Sequence, residues 1–235
     1  MIIVTGSASG LGFAVASALN RGGKKVLGVD IASHGLQSWP AYVADVSKES
    51  DVESIASRLH RPCEAIVNCA GVSHIDYLED MKAEDWDRVM AINVRSLMLI
   101  GKHFLPVLKE AQGTIINIVS NASHLPMTAS SAYNASKGAA HILTQQMARE
   151  LSRRHGITVM GVSPARLAGT SMSSEVDARV SEVRGWDAAE VQTRQQEALL
   201  AGEIPPQVVA DFIAFLLSDP ERSRYLTGCV IPYGA

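Results

Sequence analysis

The sequence predicts an α/β fold, a single domain built on a parallel sheet with helices packed against it. Three observations carry that reading. Short apolar runs alternate with stretches of helical period, as strand–helix–strand units do. The first run leads through a glycine-rich turn, Thr5-Gly6-Ser7-Ala8-Ser9-Gly10-Leu11-Gly12, straight into a helix. The conspicuous polar residues fall at the C-terminal ends of the runs, where parallel sheets bind their ligands. A chain of 235 residues can bury one large core and is short for two domains.

Residues 1–4 are a short apolar run suited to a buried strand, and residues 13–19 a good helix. Between them the glycines let the backbone approach a pyrophosphate, and the helix N-terminus supplies free N–H groups and partial positive charge. The spacing is Gly-x-x-x-Gly-x-Gly, which by itself also describes a tight turn; the flanking strand and helix make it a phosphate cradle. Residues 25–29 form a second strand closed by Asp30. An acid at that distance from the turn is placed for the hydroxyls of an adenosine ribose; alone, it would read as a strand-end cap.

Residues 31–40 contain Gly35 and Pro40 and show no helical period, so the crossover helix is expected to be shortened or lost. Residues 41–44 are a third strand, leading to Asp45 and Val46. Residues 48–60 are a helix with Val52, Ile55, Ala56 and Leu59 on one face. Residues 65–67 are a fourth strand, followed by Asn68-Cys69-Ala70-Gly71. Residues 83–111 are expected to form one long helix with Asn93 midway, and residues 114–119 a fifth strand that delivers Ser120. A helix carries Tyr133 and Lys137, with Ser130 or Ser131 as its cap. Residues 158–162 are a sixth strand, ending in Ser163-Pro164-Ala165-Arg166. Residues 167–204 are polar and charge-mixed around Met172 and Trp186, and suit either a lid over the site or a solvated helical insertion. A helix over 208–217 and a short strand over 228–231 follow.

Composition narrows the function classes. The net charge is −3 and the pI about 6.2, which gives no footprint for nucleic acid or an anionic membrane. Arg95, Lys102 and His103 interrupt the longest apolar stretches, so no membrane span is expected. The N-terminal residues lack the pattern of a signal peptide. Cys63, Cys69 and Cys229 lack metal-ligand spacing and are expected to be reduced and mostly buried, as in a cytoplasmic protein. No metal is expected.

Tyr133 and Lys137 are four residues apart and share a helix face. A free phenol titrates near ~10 and is a poor base at neutral pH. A neighbouring ammonium favours the phenolate, and a tyrosine so tuned can exchange a proton with a substrate oxygen. The pattern is short and common, and in isolation it describes a surface Tyr and Lys.

Taken together, the residues resemble the short-chain dehydrogenase/reductase family almost end to end. Thr5-Gly6-x-x-x-Gly10-x-Gly12 is similar to its coenzyme turn, and Asn68-Cys69-Ala70-Gly71 to its Asn-Asn-Ala-Gly element. Asn93, Ser120, Tyr133 and Lys137 match its catalytic tetrad, with the usual spacing of 13 residues from Ser120 to Tyr133. Leu226-Thr227-Gly228 resembles its C-terminal element. Ala165 stands where the family usually has glycine, Thr170 one place later than the usual threonine, and Tyr233-Gly234-Ala235 where Asp-Gly-Gly is common.

The resemblance implies a doubly wound, Rossmann-type sheet of seven strands with helices on both faces, a nicotinamide coenzyme, and hydride transfer between an alcohol and a ketone. It implies that Tyr133 is the general acid/base, that Lys137 lowers its pKa and binds ribose, that Ser120 orients the substrate oxygen, and that Asn93 supports a proton relay. Cofactor contacts are expected at Gly6, Ser9, Gly10, Leu11, Gly12, Asp30, Ile31, Asp45, Val46, Asn68, Ala70, Gly71, Tyr133, Lys137 and Pro164. NAD is expected over NADP because Asp30 would repel a 2′-phosphate and neither Ser9 nor Ile31 offers a positive charge.

The expected substrate is a small-molecule secondary alcohol or ketone, in a pocket of Ser73, His74, Ser120, Ser123, His124, Leu125, Tyr133, Met172 and Trp186. Arg166 could clamp an anion there or simply form a structural salt bridge. The alternatives are an NADPH-dependent biosynthetic ketoreductase and a non-catalytic NAD-binding sensor. The apolar faces of the helices at 83–111 and 131–155, which the family commonly pairs between subunits, imply a homo-oligomer, a tetramer first and a dimer second.

Overall fold

The computed structural model describes residues 1–33, 35, 37–187, 189–190, 192–193 and 202–234. Seven parallel strands form one sheet in the spatial order β3-β2-β1-β4-β5-β6-β7. They are β1 (Ile2–Thr5), β2 (Val26–Asp30), β3 (Ala41–Val43), β4 (Ala65–Asn68), β5 (Thr114–Ile118), β6 (Thr158–Pro164) and β7 (Val230–Tyr233). The order reverses at β1, so the chain winds outward in both directions and opens a crevice at the switch between β1 and β4. The register aligns Thr5 with Asn68 and Asn68 with Asn117, which brings the strand C-termini to one edge.

The strands are nearly continuous apolar runs because both sheet faces are covered. On one face lie α1 (Gly10–Arg21) and α8 (Pro206–Ser218), with Leu11, Val15 and Leu19 meeting Val209, Ile213 and Leu216 over Val4 and Val67. On the other lie α2 (Glu49–Ser57), α4 (Ser96–His103), α5 (Leu105–Ala111) and α6 (Ser131–His155). Their Val52, Ile55, Leu99, Ile100, Leu108 and Met147 bury Ile3, Ile66 and Ile115. No helix occupies the described residues between β2 and β3, as the missing period there predicts.

The helix expected over 83–111 is interrupted. It runs as α3 (Ala83–Met90), a π turn (Ala91–Arg95), α4, and α5 after a break at Phe104. Pro106 explains the break: it lacks an N–H and sits in the first turn of α5, where none is needed. The π turn has a different cause, the demands of Asn93 described below. Ser130 occupies the N-cap position of α6, but its hydroxyl makes no cap; it donates to Thr128 O at 3.4 Å.

The last strand begins two residues later than expected, at Val230. Of the expected lid, α7 (Ser171–Arg184) is a helix capped by the Thr170 side chain; residues 188, 191 and 194–201 of that segment lie outside the described residues. Of the cysteines expected to be mostly buried, Cys63 is buried, Cys69 half-buried and Cys229 exposed on the way into β7. Among the described residues no helix is long and apolar enough to cross a membrane.

Candidate active site

The strand C-termini open onto a cleft of about 1160 Å³ whose lining includes Gly6, Asp30, Ser120, Tyr133 and Trp186. Such a volume exceeds that of an ordinary small-ligand pocket and suits a dinucleotide with a second molecule beside it. The glycine turn forms its floor. A Cβ on Gly12 would lie 2.0 Å from Gly6 O, and one on Gly6, at φ +65°, would lie 2.9 Å from Ala70 N. The turn therefore closes against the β4 exit only because both residues are glycine. The first amides of α1 have no intrahelical acceptor and face the cleft, a ready site for a diphosphate.

Asp30 ends β2 on the same floor. Its Oδ2 accepts from Ala8 N at 3.0 Å and its Oδ1 from Ala32 N at 2.9 Å. Each oxygen keeps one further acceptor position, so the carboxylate is fixed and can still receive two ribose hydroxyls. Ile31, Asp45 and Val46 continue this end of the cleft, and Ser9, Gly10, Leu11, Ala70, Gly71 and Pro164 complete the expected cofactor set. Asn68, also expected there, does not line the cleft. Its side chain turns inward, donating to Asn117 Oδ1 at 2.8 Å, and Asn117 donates to Thr144 Oγ1 at 3.0 Å. This buried chain of polar groups ties β4, β5 and α6 together below the cleft.

Ser120, Tyr133 and Lys137 converge on the same cleft. Ser120 leaves β5 as the cap of a short turn, its Oγ accepting from Ala122 N at 3.2 Å. Lys137 is 6% exposed and its Nζ donates to Ile118 O at 2.9 Å. Its Nζ lies 5.7 Å from the centre of the Tyr133 ring. Burial pushes the Lys137 ammonium down to about 8. Burial also pushes the Tyr133 phenol up, and a hydrogen bond with Ser120 opposes that rise.

Desolvation dominates both groups, and the Ser120 hydroxyl opposes the rise of the phenol. The Cys69 thiol beside them is pushed up to about 12 by burial and stays protonated.

Asn93 lies behind the cleft wall at 3% exposure, not on the solvent face usual for a polar helix residue. The π turn rotates it inward, a recurrent use of such turns at functional sites. Its side chain bonds both backbone groups of Val72 and donates to Ser136 Oγ at 2.9 Å.

The expected substrate residues divide. Ser73, Met172, Trp186 and Arg166 line the cleft. His74, Ser123, His124 and Leu125 do not. His74 Nε2 sits 2.7 Å from Asp76, and Ser123 bonds to His124 and His141 away from the opening. Arg166 is held by Asp177 at 2.6 Å and by Glu203, the structural salt bridge among its two readings. The displaced threonine also finds a place: Thr170 caps α7 and comes within 3.8 Å of where a Gly10 Cβ would be, so the α7 entrance touches the glycine turn. Sequence reasoning missed Ile75, Ile92, Met127, Val176 and Val180. The spacing of Met172, Val176 and Val180 was the available signal.

Comparison with known proteins agrees with this geometry. A family model described as short chain dehydrogenase matches residues 1–181. The chain is 32% identical to 2-(S)-hydroxypropyl-CoM dehydrogenase 3 of Xanthobacter autotrophicus, covering 97% of this chain and 92% of that protein. It is 31% identical to human (3R)-3-hydroxyacyl-CoA dehydrogenase, covering 97% and 91%. Its structure superposes on ligand-free aldohexose dehydrogenase of Thermoplasma acidophilum with a TM-score of 0.85 at 25% identity, covering 98% and 91%.

Proposed function

The chain belongs to the short-chain dehydrogenase family, oxidoreductases that act on hydroxyl or keto groups with a nicotinamide cofactor, and from that premise we propose an NAD-preferring dehydrogenase of small secondary alcohols, or the reverse ketone reductase. The observation that carries the proposal is the convergence of Ser120, Tyr133 and Lys137 on one cleft with the glycine cradle and Asp30. The relatives named above act, by their names, on hydroxypropyl and hydroxyacyl compounds, which favours a secondary hydroxyl here.

The residues present fit the cofactor: Gly6 and Gly12 have no room for a Cβ, and the α1 amides and Asp30 provide for a diphosphate and a ribose. Gly6, Ser9, Gly10, Leu11 and Gly12 would hold the diphosphate. Asp30 and Ile31 would hold the adenosine ribose, Asp45 and Val46 the adenine, and Tyr133, Lys137 and Pro164 the nicotinamide side. When bound, the cofactor accepts or supplies the hydride.

The chain's own part is to orient the substrate and move the proton. Ser120 positions the substrate oxygen and, by its bond to the phenol, favours the phenolate. Tyr133 as the phenol donates its proton to a ketone oxygen as general acid; in the oxidative direction it acts as the phenolate and takes the hydroxyl proton. The two ionisations are coupled, because Lys137 supports a phenolate only while it carries its own proton. Asn93 holds the Val72 segment and the π turn against α6, which keeps the relay side of Lys137 in register.

We further propose a homo-oligomer in the cytoplasm, supported by the exposed Met98 and Ile142 on α4 and α6. An assay of purified protein with secondary alcohols and NAD, following NADH absorbance, tests the activity. Turnover is expected; cofactor binding without turnover of any alcohol or ketone would point instead to a non-catalytic sensor.

A further inference from the structure

Beyond the Tyr133–Lys137 pair, α7 closes the cleft with two rows of side chains. Ser173, Asp177 and Ser181 form one row, and Met172, Val176 and Val180 the other, each set four residues apart and so stacked along the helix. The polar row is already engaged. Ser173 Oγ bonds to Leu167 O at 2.5 Å and Thr170 Oγ1 at 2.6 Å. Both Asp177 oxygens take the Arg166 guanidinium, at 2.7 and 2.6 Å, and Ser181 Oγ donates to Asp177 O at 2.8 Å.

The apolar row has no polar group to satisfy. Val180 packs with Ile75 and Ala129, and Val176 lies against that cluster. Met172 and Val176 stay half-buried at the cleft wall, with Ile92 and Met127 lining the same space.

Charge adds a second constraint. Glu175, Asp177 and Glu203 line this half against Arg166 and Arg88. Arg166 is met by two of those carboxylates, and Arg88 lies 3.8 Å from Asp85. Among the described residues, and apart from Lys137 at the reacting centre, these three carboxylates outnumber the two arginines, and both arginines face carboxylates. An anionic group entering this space would lose water and meet like charge, whereas a hydrocarbon segment would gain by covering Met172 and Val176.

Resting on the hydride-transfer reading above, we infer that the substrate is an uncharged secondary alcohol or ketone with a hydrocarbon arm. The arm lies along Met172 and Val176, and the acidic wall of α7 excludes arms that end in an anion. Val176 is the specificity-determining residue at the centre of the row.

The test uses the purified protein with NAD and NADP, 2-alkanols from 2-butanol to 2-octanol, and 7-hydroxyoctanoate, which keeps the reacting end of 2-octanol and adds a distant carboxylate. kcat/KM is expected to rise about fourfold per methylene, and 2-octanol to exceed 7-hydroxyoctanoate by on the order of 10-fold. Val176→Asp flattens the chain-length slope, and Glu175→Lys narrows the gap between 2-octanol and 7-hydroxyoctanoate; retained NADH fluorescence enhancement shows that each variant is folded. A flat series, or 7-hydroxyoctanoate used as well as 2-octanol, overturns the inference and leaves hydride transfer standing. Absence of turnover with every alcohol and the matching ketones overturns hydride transfer, and the inference with it.

Discussion

Asn93 and Val72 are joined by a reciprocal pair of hydrogen bonds: Val72 N donates to Asn93 Oδ1 at 2.9 Å, and Asn93 Nδ2 donates to Val72 O at 2.9 Å. The side chain amide thereby imitates a backbone partner and fixes the segment after β4 to the π turn. Asn93→Ala leaves these backbone groups unmet in a buried place, a cost of about 1–3 kcal/mol. Urea denaturation should show a lower midpoint at an unchanged slope, and turnover should fall with it. A variant with an unaltered midpoint would mean that water replaces the amide.

Tyr133→Phe keeps the ring and removes the transferable proton. Turnover should fall by on the order of 10²–10⁴, the usual share of general acid–base catalysis. NADH binding, followed by fluorescence titration, should survive because the phenol is not its main anchor. Near-normal turnover would sink the assignment of Tyr133.

Lys137 titrates at about 8 in the folded chain and near ~10.4 when unfolded. Between those values the unfolded chain keeps a proton that the folded chain has released, so this group's contribution to stability rises with pH across the window. The expected gain is on the order of 3 kcal/mol. Cys63 and Cys69, both pushed up to about 12, contribute the opposite slope above their unfolded values. The signature is therefore the difference between wild type and Lys137→Met. That variant should lose the favourable slope from about 8 upward, and identical pH profiles of the thermal midpoint would refute the burial of a titrating ammonium.

Asp30 is pinned by Ala8 N and Ala32 N toward the cleft. NAD should be preferred over NADP by on the order of 10²-fold in kcat/KM, or roughly 2.7 kcal/mol, because a 2′-phosphate would meet this carboxylate, and among the described residues no cation lines that part of the cleft. Asp30→Ala should narrow the gap mainly by weakening NAD binding. Equal use of both cofactors by the unaltered protein would shift the balance to the NADPH-dependent ketoreductase.

Met98 and Ile142 expose 44% and 65% of their surface on α4 and α6, helices whose other faces are already packed on the sheet. Pairing these faces through a two-fold axis would cover them. Light scattering at micromolar concentration should give a tetramer, or a dimer, and not the 25.1 kDa of a single chain.

Much of this molecule was legible in one dimension. Strand and helix periods, the glycine turn and the Tyr133–Lys137 spacing are local patterns, and the structure builds them as the sequence implies. Asn68 was misplaced because a residue at a strand end can turn either way, and only the neighbouring Asn117 on β5 draws it inward. His74, Ser123 and His124 sit near the cleft in sequence but find partners outside it.

By itself, then, the sequence determined the parallel α/β architecture, the phosphate cradle and the identity of the residues that meet beyond the strand ends. These follow from side-chain period and from glycines whose missing Cβ is a property of the residue. The tertiary structure alone decided that Asn93 is buried, that burial pushes the Tyr133 phenol up and the Lys137 ammonium down, and that Met172 and Val176 form the open wall of α7. Burial and desolvation sum over atoms far apart in the chain, and a hydrogen-bonding group spends its capacity on whichever neighbour the packing brings within reach.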